Sequence, residues 1–169
     1  MWWTAVPSPI GELGVAADPD GVLAVRFSGP AGPVADDPGP VLVGIADELD
    51  GYFAGRLTAF SVLPSGSPGV GRLPLRLGGT PFERAVWEYL SDIPYGQTRT
   101  YGAVAAAVGD PRGARAVGVA CHRNPLPVLV PCHRVVGAGN KLVGFGGGLA
   151  RKRYLLELEA RVCMERDWA

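Results

Sequence analysis

The 169-residue sequence predicts an α+β protein with a small sheet-plus-helix N-terminal domain at 1–79 and a helical domain at 80–169. Three observations carry this reading: apolar alternation around a turn near the start, a Gly/Pro-rich stretch near the middle, and helical spacing beyond it. A hydrophobic content of 47% is enough to bury a core. No apolar run approaches the roughly 20 residues of a membrane span, and "MWWTAVPSPIG" lacks a signal peptide's basic and long apolar regions. The expectation is a soluble cytoplasmic protein, with no membrane partner.

The segment "GELGVAADPDGVLAVRF" alternates Leu13, Val15, Ala17 and then Leu23, Val25, Phe27 about Asp18-Pro19-Asp20-Gly21, which reads as a β-hairpin. A Gly/Pro-rich loop over 28–40 follows. Leu42, Ile45, Leu49 and Tyr52/Phe53 then recur every three or four residues, predicting an amphipathic helix that stops near Gly55. A third strand is expected near "TAFSVL", and the aperiodic "PSGSPGVGRLPLRLGG" (64–79) reads as a linker.

Beyond it Thr80, Pro81 and Glu83 form a helix-start signature, with Phe82, Val86, Trp87 and Leu90 as the buried face. "IPYGQT" interrupts, "TRTYGAVAAAVGD" predicts an Ala-rich helix closed at Gly109, and Pro111 and Gly113 turn into "ARAVGVACHRN". Two short helices joined by a tight turn are the plan of a helix-turn-helix, although many such hairpins bind nothing. Charge adds a weak pointer. Residues 1–79 hold four basic and eight acidic side chains, a net of −4 that the remainder balances at +4, and a basic half suits a polyanion.

Cysteines 121, 132 and 163 are too few and odd in number for a disulfide framework, so free thiols in a reducing compartment are expected. Cys132 follows the apolar "PLPVLV" and Pro131 and precedes His133-Arg134. A nearby imidazole or guanidinium lowers a thiol's pKa and makes it a better nucleophile, and that effect is expected here. Cys121-His122 and Cys132-His133 invite a zinc reading, but adjacent residues on a helix point apart and neither pair has the usual gap. A cysteine hydrolase stays open as a second enzyme class.

"PCHRV", the upstream "RAVG…NP" and the downstream "GFGGGLARKRYLLELE" resemble the O6-alkylguanine-DNA alkyltransferase family, or methylated-DNA–protein-cysteine methyltransferases. The resemblance runs through 80–159, and "SPIGELGVAADPDGVLAVRF" is similar to the family's N-terminal domain. It implies DNA repair by single-turnover transfer of the alkyl group of O6-alkylguanine in double-stranded DNA to Cys132, with O4-alkylthymine left open. It also implies a winged-helix-like catalytic domain, no cofactor, no metal, and a monomer whose cooperativity on DNA is open. His133 is implied as the base for the thiol proton, Glu159 as its orienter, Asn124 as a brace for the turn before the active-site loop, and Tyr101 as the residue that polarises the departing guanine. DNA contacts fall on Tyr101, Gly102, Ala114, Arg115, Ala116 and Gly118, with Arg115 filling the gap left by the extruded nucleotide. The substrate pocket falls on Val135, Phe145 and Gly146. Phe145 stands where many members carry tyrosine. A non-catalytic lesion binder is the competing class, and such relatives lack the acceptor cysteine that this chain has. Taken singly, Glu159 reads as a solvated helix charge and His133 as a surface histidine; their joint spacing favours the catalytic reading.

Overall fold

A computed structural model describes residues 1–64, 73–75 and 78–168, and the chain divides into two compact units, Met1–Leu77 and Gly78–Ala169. The first unit is built on a meander of β1 (Trp2–Val6), β2 (Leu13–Asp18) and β3 (Gly21–Arg26), paired antiparallel in that order. The turn between β2 and β3 is held by the Asp18 carboxylate, whose Oδ1 accepts from the amides of Asp20 at 2.8 Å and Gly21 at 3.1 Å. β2 is buried along nearly its whole length. One reason is that the 29–30 backbone crosses it so closely that a Cβ on Gly14 would collide with the Gly29 carbonyl group. The helix α1 (Gly39–Phe53) buries Leu42, Ile45, Leu49, Tyr52 and Phe53, the stripe expected from the sequence.

Two features depart from the sequence reading. Strand β1 was not expected, since Trp2-Trp3-Thr4-Ala5 shows no alternation; it forms by pairing with β2 in register from Trp2↔Ala17 to Val6↔Leu13. The stretch 64–79 is not a plain linker: β4 (Val62–Pro64) ends at its first residue, and β5 (Leu73–Leu75) runs between β3 and β4, parallel to both. A three-residue parallel strand set among Gly and Pro leaves no local periodicity to read. Residues 65–72 and 76–77 of that stretch lie outside the described residues.

The second unit opens with α2 (Pro81–Ser91). Thr80 Oγ1 accepts from the Glu83 amide at 3.1 Å while the Glu83 carboxylate accepts from the Thr80 amide at 3.1 Å, a reciprocal cap that contributes about 1 kcal/mol. Glu83 is itself buried, whereas Phe82, expected on the buried face, is only half-buried. The Trp87 indole N–H donates to the Ala120 carbonyl at 2.8 Å, fastening α2 to α4 (Ala114–His122). Between them run β6 (Arg99–Thr100) and α3 (Tyr101–Ala107), the latter capped by Thr100 Oγ1 on the Ala103 amide. After α4 come a 3-10 turn at Cys132–Arg134, β7 (Val135–Val136) and α5 (Leu149–Asp167).

A pairing of only two residues positions the site. β6 and β7 run parallel, Arg99↔Val135 and Thr100↔Val136. Because Tyr101 directly follows β6 and Cys132–Arg134 directly precedes β7, this pairing fixes the start of α3 relative to the cysteine turn.

Candidate active site

Cys132 opens the 3-10 turn and is buried, with 4% of its surface exposed at the base of a cavity of about 540 Å³. Tyr101, Arg115, Gly118, Cys121 and Phe145 line that cavity with it. The approach to the cysteine is strained. Val128 is buried with φ of +74°, a left-handed conformation costly for a β-branched residue, on the order of 1–3 kcal/mol. Asn124 holds that turn from both ends: its Nδ2 donates to the Val130 carbonyl at 2.8 Å and its Oδ1 accepts from the Leu126 amide at 2.9 Å.

Behind the cysteine lies a buried charge cluster. His133 is fully buried, and its Nε2 meets Glu159 Oε2 at 2.6 Å. A carboxylate can only accept, so the imidazole proton sits on Nε2, leaving Nδ1 as the acceptor nitrogen. Nδ1 has no hydrogen-bond partner among the described residues. Arg134 grips the same carboxylate through Nε at 2.9 Å and Nη2 at 3.1 Å, and donates through Nη1 to the Ile93 carbonyl at 2.7 Å. The Gly96 amide adds a bond to Glu159 Oε1 at 3.0 Å. Gly96 has φ of +79°, and a Cβ there would collide with Cys163 Sγ, so this approach to α5 requires glycine.

Burial works to raise the Glu159 pKa, but the bonds and charges of His133 and Arg134 outweigh it and hold the carboxyl well below the ordinary range. Burial lowers the pKa of His133, and the Arg134 and Lys152 cations push the same way against the pull of Glu159. The resting pair is therefore a neutral imidazole on an ionised carboxylate.

The Cys132 thiol corrects the sequence reading. Burial pushes it up to about 11, against smaller downward effects from the Asn124 hydrogen bond, the Lys152 charge and the local backbone bonds. The adjacent guanidinium does not depress it, because Arg134 is spent on Glu159 and Ile93. Such a thiol needs a proton acceptor during reaction, which fits a neutral imidazole rather than a pre-formed thiolate.

Lys152 was not picked out from the sequence. It is fully buried on α5, donating to the Val143 and Gly144 carbonyls, each at 3.2 Å, and reaching the Tyr101 hydroxyl at 3.4 Å. Tyr101 in turn donates to the Val143 carbonyl at 2.9 Å. These bonds tie the loop at 143–144 to the start of α3. The sequence signal was present: Lys152, Leu155, Glu159 and Val162 follow the i, i+3, i+7, i+10 stripe of one helix face, and all four are buried.

The other expected residues divide by position. Ala114, Arg115 and Gly118 lie along one face of α4 and line the cavity, with Gly118 close enough that a Cβ would lie 3.9 Å from the Tyr101 ring. Arg115 is the second residue of that helix and is exposed. Gly102 and Ala116 are exposed and do not line it. Phe145 lines the cavity, but Val135 and Gly146 do not: Val135 is buried in β7 opposite Arg99, and Gly146 faces His122. Of the three expected pocket residues, Phe145 is the one that lines this cavity, beside the α4 face. Among the described residues no group of three or more His, Cys, Asp or Glu side chains could hold a metal ion.

A buried cysteine beside an oriented neutral histidine, opening into a cavity walled by the second helix of a helix-turn-helix, defines a cysteine-dependent group-transfer site. Family models for the 6-O-methylguanine DNA methyltransferase DNA-binding domain and ribonuclease-like domain match residues 81–161 and 1–65. The chain belongs to the 6-O-methylguanine DNA methyltransferase family. It is 43% identical to a methylated-DNA–protein-cysteine methyltransferase of Mycobacterium tuberculosis over 93% of this chain and 91% of that one. It is 39% identical to a Methanosarcina acetivorans protein of the same name over 94% and 98%. Among solved structures, Mycobacterium tuberculosis OGT in complex with DNA superposes with a TM-score of 0.80 at 41% identity, covering 96% of this chain and 94% of that one.

Proposed function

We propose that this protein repairs DNA by moving the alkyl group of O6-alkylguanine onto Cys132, once per molecule. The observation that carries the reading is the burial of one thiol at the base of a cavity, next to a histidine whose proton is fixed on the far nitrogen by Glu159. Family membership supports the activity, and the DNA-bound relative supports double-stranded DNA as partner.

In this reading Cys132 Sγ attacks the carbon attached to the guanine oxygen, the carbon–oxygen bond breaks, and the guanine leaves with the electron pair. His133 accepts the thiol proton through Nδ1, and the imidazolium so formed is stabilised by Glu159. Tyr101 faces the base from the start of α3, and Asn124 keeps the cysteine loop in its strained path. An alkyl group inside a duplex is out of reach until the nucleotide is extruded, at a few kcal/mol. Arg115, exposed near the N-terminus of α4, fills the vacated stack, while Ala114, Ala116, Gly118 and Gly102 keep the backbone close to the groove. Three free thiols support a reducing, cytoplasmic setting, and a monomer suffices because every group of the site comes from residues 93–159 of one chain. No helix among the described residues is long and apolar enough to cross a membrane.

The test is incubation with a duplex carrying O6-methylguanine, followed by peptide mass mapping. The added methyl should sit on Cys132, and Cys132→Ser should accept none. A methyl found elsewhere overturns the assignment.

A further inference from the structure

Arg134 follows His133 in the sequence, and both side chains end on the same carboxylate. Its Nε and Nη2 hold the two oxygens of Glu159 at 2.9 and 3.1 Å, Nη1 donates to the Ile93 carbonyl at 2.7 Å, and the guanidinium carbon lies 5.6 Å from the centre of the Tyr95 ring. All three guanidinium nitrogens are thus engaged, and only 7% of the residue's surface is exposed. We propose that Arg134 is a positioning residue for the transfer: its fixed charge balances Glu159 one to one, so that the carboxylate orients His133 without drawing a second proton onto it. The proposal rests on the alkyl-transfer reading and deepens it.

Charge counting carries the argument. A buried carboxylate needs one compensating positive charge. With Arg134 supplying it, the cluster of Arg134, Glu159 and His133 is neutral, and the imidazole holds a single proton on Nε2, leaving Nδ1 to accept from the thiol. Without the guanidinium, the pair neutralises itself by taking up one proton, and there are two places for it. On the imidazole it makes an imidazolium, with Nδ1 protonated. On the carboxylate it reverses the 2.6 Å bond, so that Glu159 donates to Nε2 and the imidazole's own proton moves to Nδ1. Both outcomes block the nitrogen that acts as base.

The other groups around the cluster do not replace that charge. Lys152 on α5 gives its hydrogen bonds to Val143, Gly144 and Tyr101, and it acts on His133 more weakly than Arg134 does. From the loop after α2, the Tyr95 hydroxyl is pushed up to about 12 by burial and by the Glu159 charge, so it is uncharged at neutral pH. The Cys132 thiol, pushed up to about 11 by burial, is uncharged as well. Cys163 on α5 points to the Tyr95 carbonyl at 4.0 Å, and the Gly96 amide brings Glu159 Oε1 a dipole but no charge.

Two substitutions in the full chain separate charge from hydrogen bonding: Arg134→Lys keeps the charge with fewer bonds, and Arg134→Gln keeps a donor without the charge. Single-turnover methyl transfer from O6-methylguanine duplex, normalised to the folded fraction, is followed from mildly acidic to alkaline pH, while NMR of ring-15N-labelled histidine reads the protonation of His133 in the free protein. In the parent, His133 should hold one proton, on Nε2, at neutral pH. In Arg134→Gln, Nδ1 should be protonated there too, and transfer should fall about tenfold or more relative to the parent. That deficit should narrow as pH rises, because each unit by which the base's pKa exceeds the pH removes a factor of about ten. Arg134→Lys should restore the parent's profile. A parent His133 already doubly protonated at neutral pH overturns the proposal, whether or not a variant folds. An Arg134→Gln loss of the same size at every pH, with Nδ1 unprotonated, overturns it as well, since loosened packing gives that result. So does an Arg134→Lys profile shifted as far as that of Arg134→Gln. If the parent moves no methyl to Cys132, the transfer reading falls, and this proposal with it, even where His133 titrates as expected.

Discussion

Replacing Glu159 by Gln separates the carboxylate's two tasks. Four hydrogen bonds converge on it, from His133 at 2.6 Å, from Arg134 at 2.9 and 3.1 Å, and from Gly96 at 3.0 Å. An amide offers one acceptor oxygen and turns donors toward donors, leaving the buried guanidinium with the Ile93 carbonyl but without a counter-charge. Breaking one side of such a buried pair costs about 3–5 kcal/mol, a large part of a typical total stability of about 5–15 kcal/mol. Loss of the group that stabilises the imidazolium removes a further factor of about a hundred to ten thousand from transfer, the usual range for general-base help. Both effects are measurable in one series: single-turnover transfer normalised to the folded fraction from a denaturant curve, with duplex affinity measured alongside. Affinity should change little. The double variant Glu159→Gln/Arg134→Met removes the orphaned charge and should recover most of the stability, while transfer stays slow. If the folded single variant transfers at the parent's rate, or the double variant regains transfer with stability, Glu159 serves only to neutralise Arg134 and the relay is wrong.

Three further perturbations probe other parts of the site. Arg115→Ala should cut transfer from methylated duplex strongly but leave transfer from free O6-benzylguanine nearly unchanged, since a free base needs no flipping; equal losses would move Arg115 from the DNA stack to the fold. Lys152→Met removes the tie between Tyr101 and the 143–144 loop and the cation that draws the Cys132 thiol down, so the transfer rate should fall about tenfold or more at neutral pH. Its pH–rate profile should also shift upward, and an unshifted profile would leave Lys152 a packing role only. Stability should decline in acid in two stages. His133 has a folded pKa below its ordinary 6.5, so its contribution is complete above that value and is lost as pH falls through the folded pKa. Glu159, depressed below 4.5, adds a second loss at lower pH. Thermal denaturation should show the first stage flattened in His133→Gln; an unchanged slope would remove His133 as its source.

The elements that rest on local chemistry were legible in the sequence. Thr80-Pro81-x-Glu83 is a complete capping signal, the hairpin turn is written in Asp18–Gly21, and the two short helices follow from Ala and Gly spacing. Long-range pairings were not legible from local pattern. β5 takes its place through parallel contact with β3, and Arg134 reads locally as a neighbour of Cys132 until α5 brings Glu159, 25 residues on, against it. That is why the thiol was expected to be depressed and is instead raised by burial. Glu159 read as a solvated charge when taken alone, although its place with Lys152 on the apolar stripe of α5 marks both as buried. The roles proposed for Cys132, His133 and Glu159 came from resemblance, and the geometry of the His133–Glu159 pair supports them.

The most direct test of the account is a count. With O6-methylguanine duplex in large excess, repaired lesions should rise to one per protein molecule and stop, and the plateau should coincide with complete methylation of Cys132. Because a thioether has no leaving group that ordinary hydrolysis can use, added time or DNA should not raise the plateau. Repair continuing beyond one lesion per molecule, or reaching its plateau with Cys132 unmodified, would contradict it.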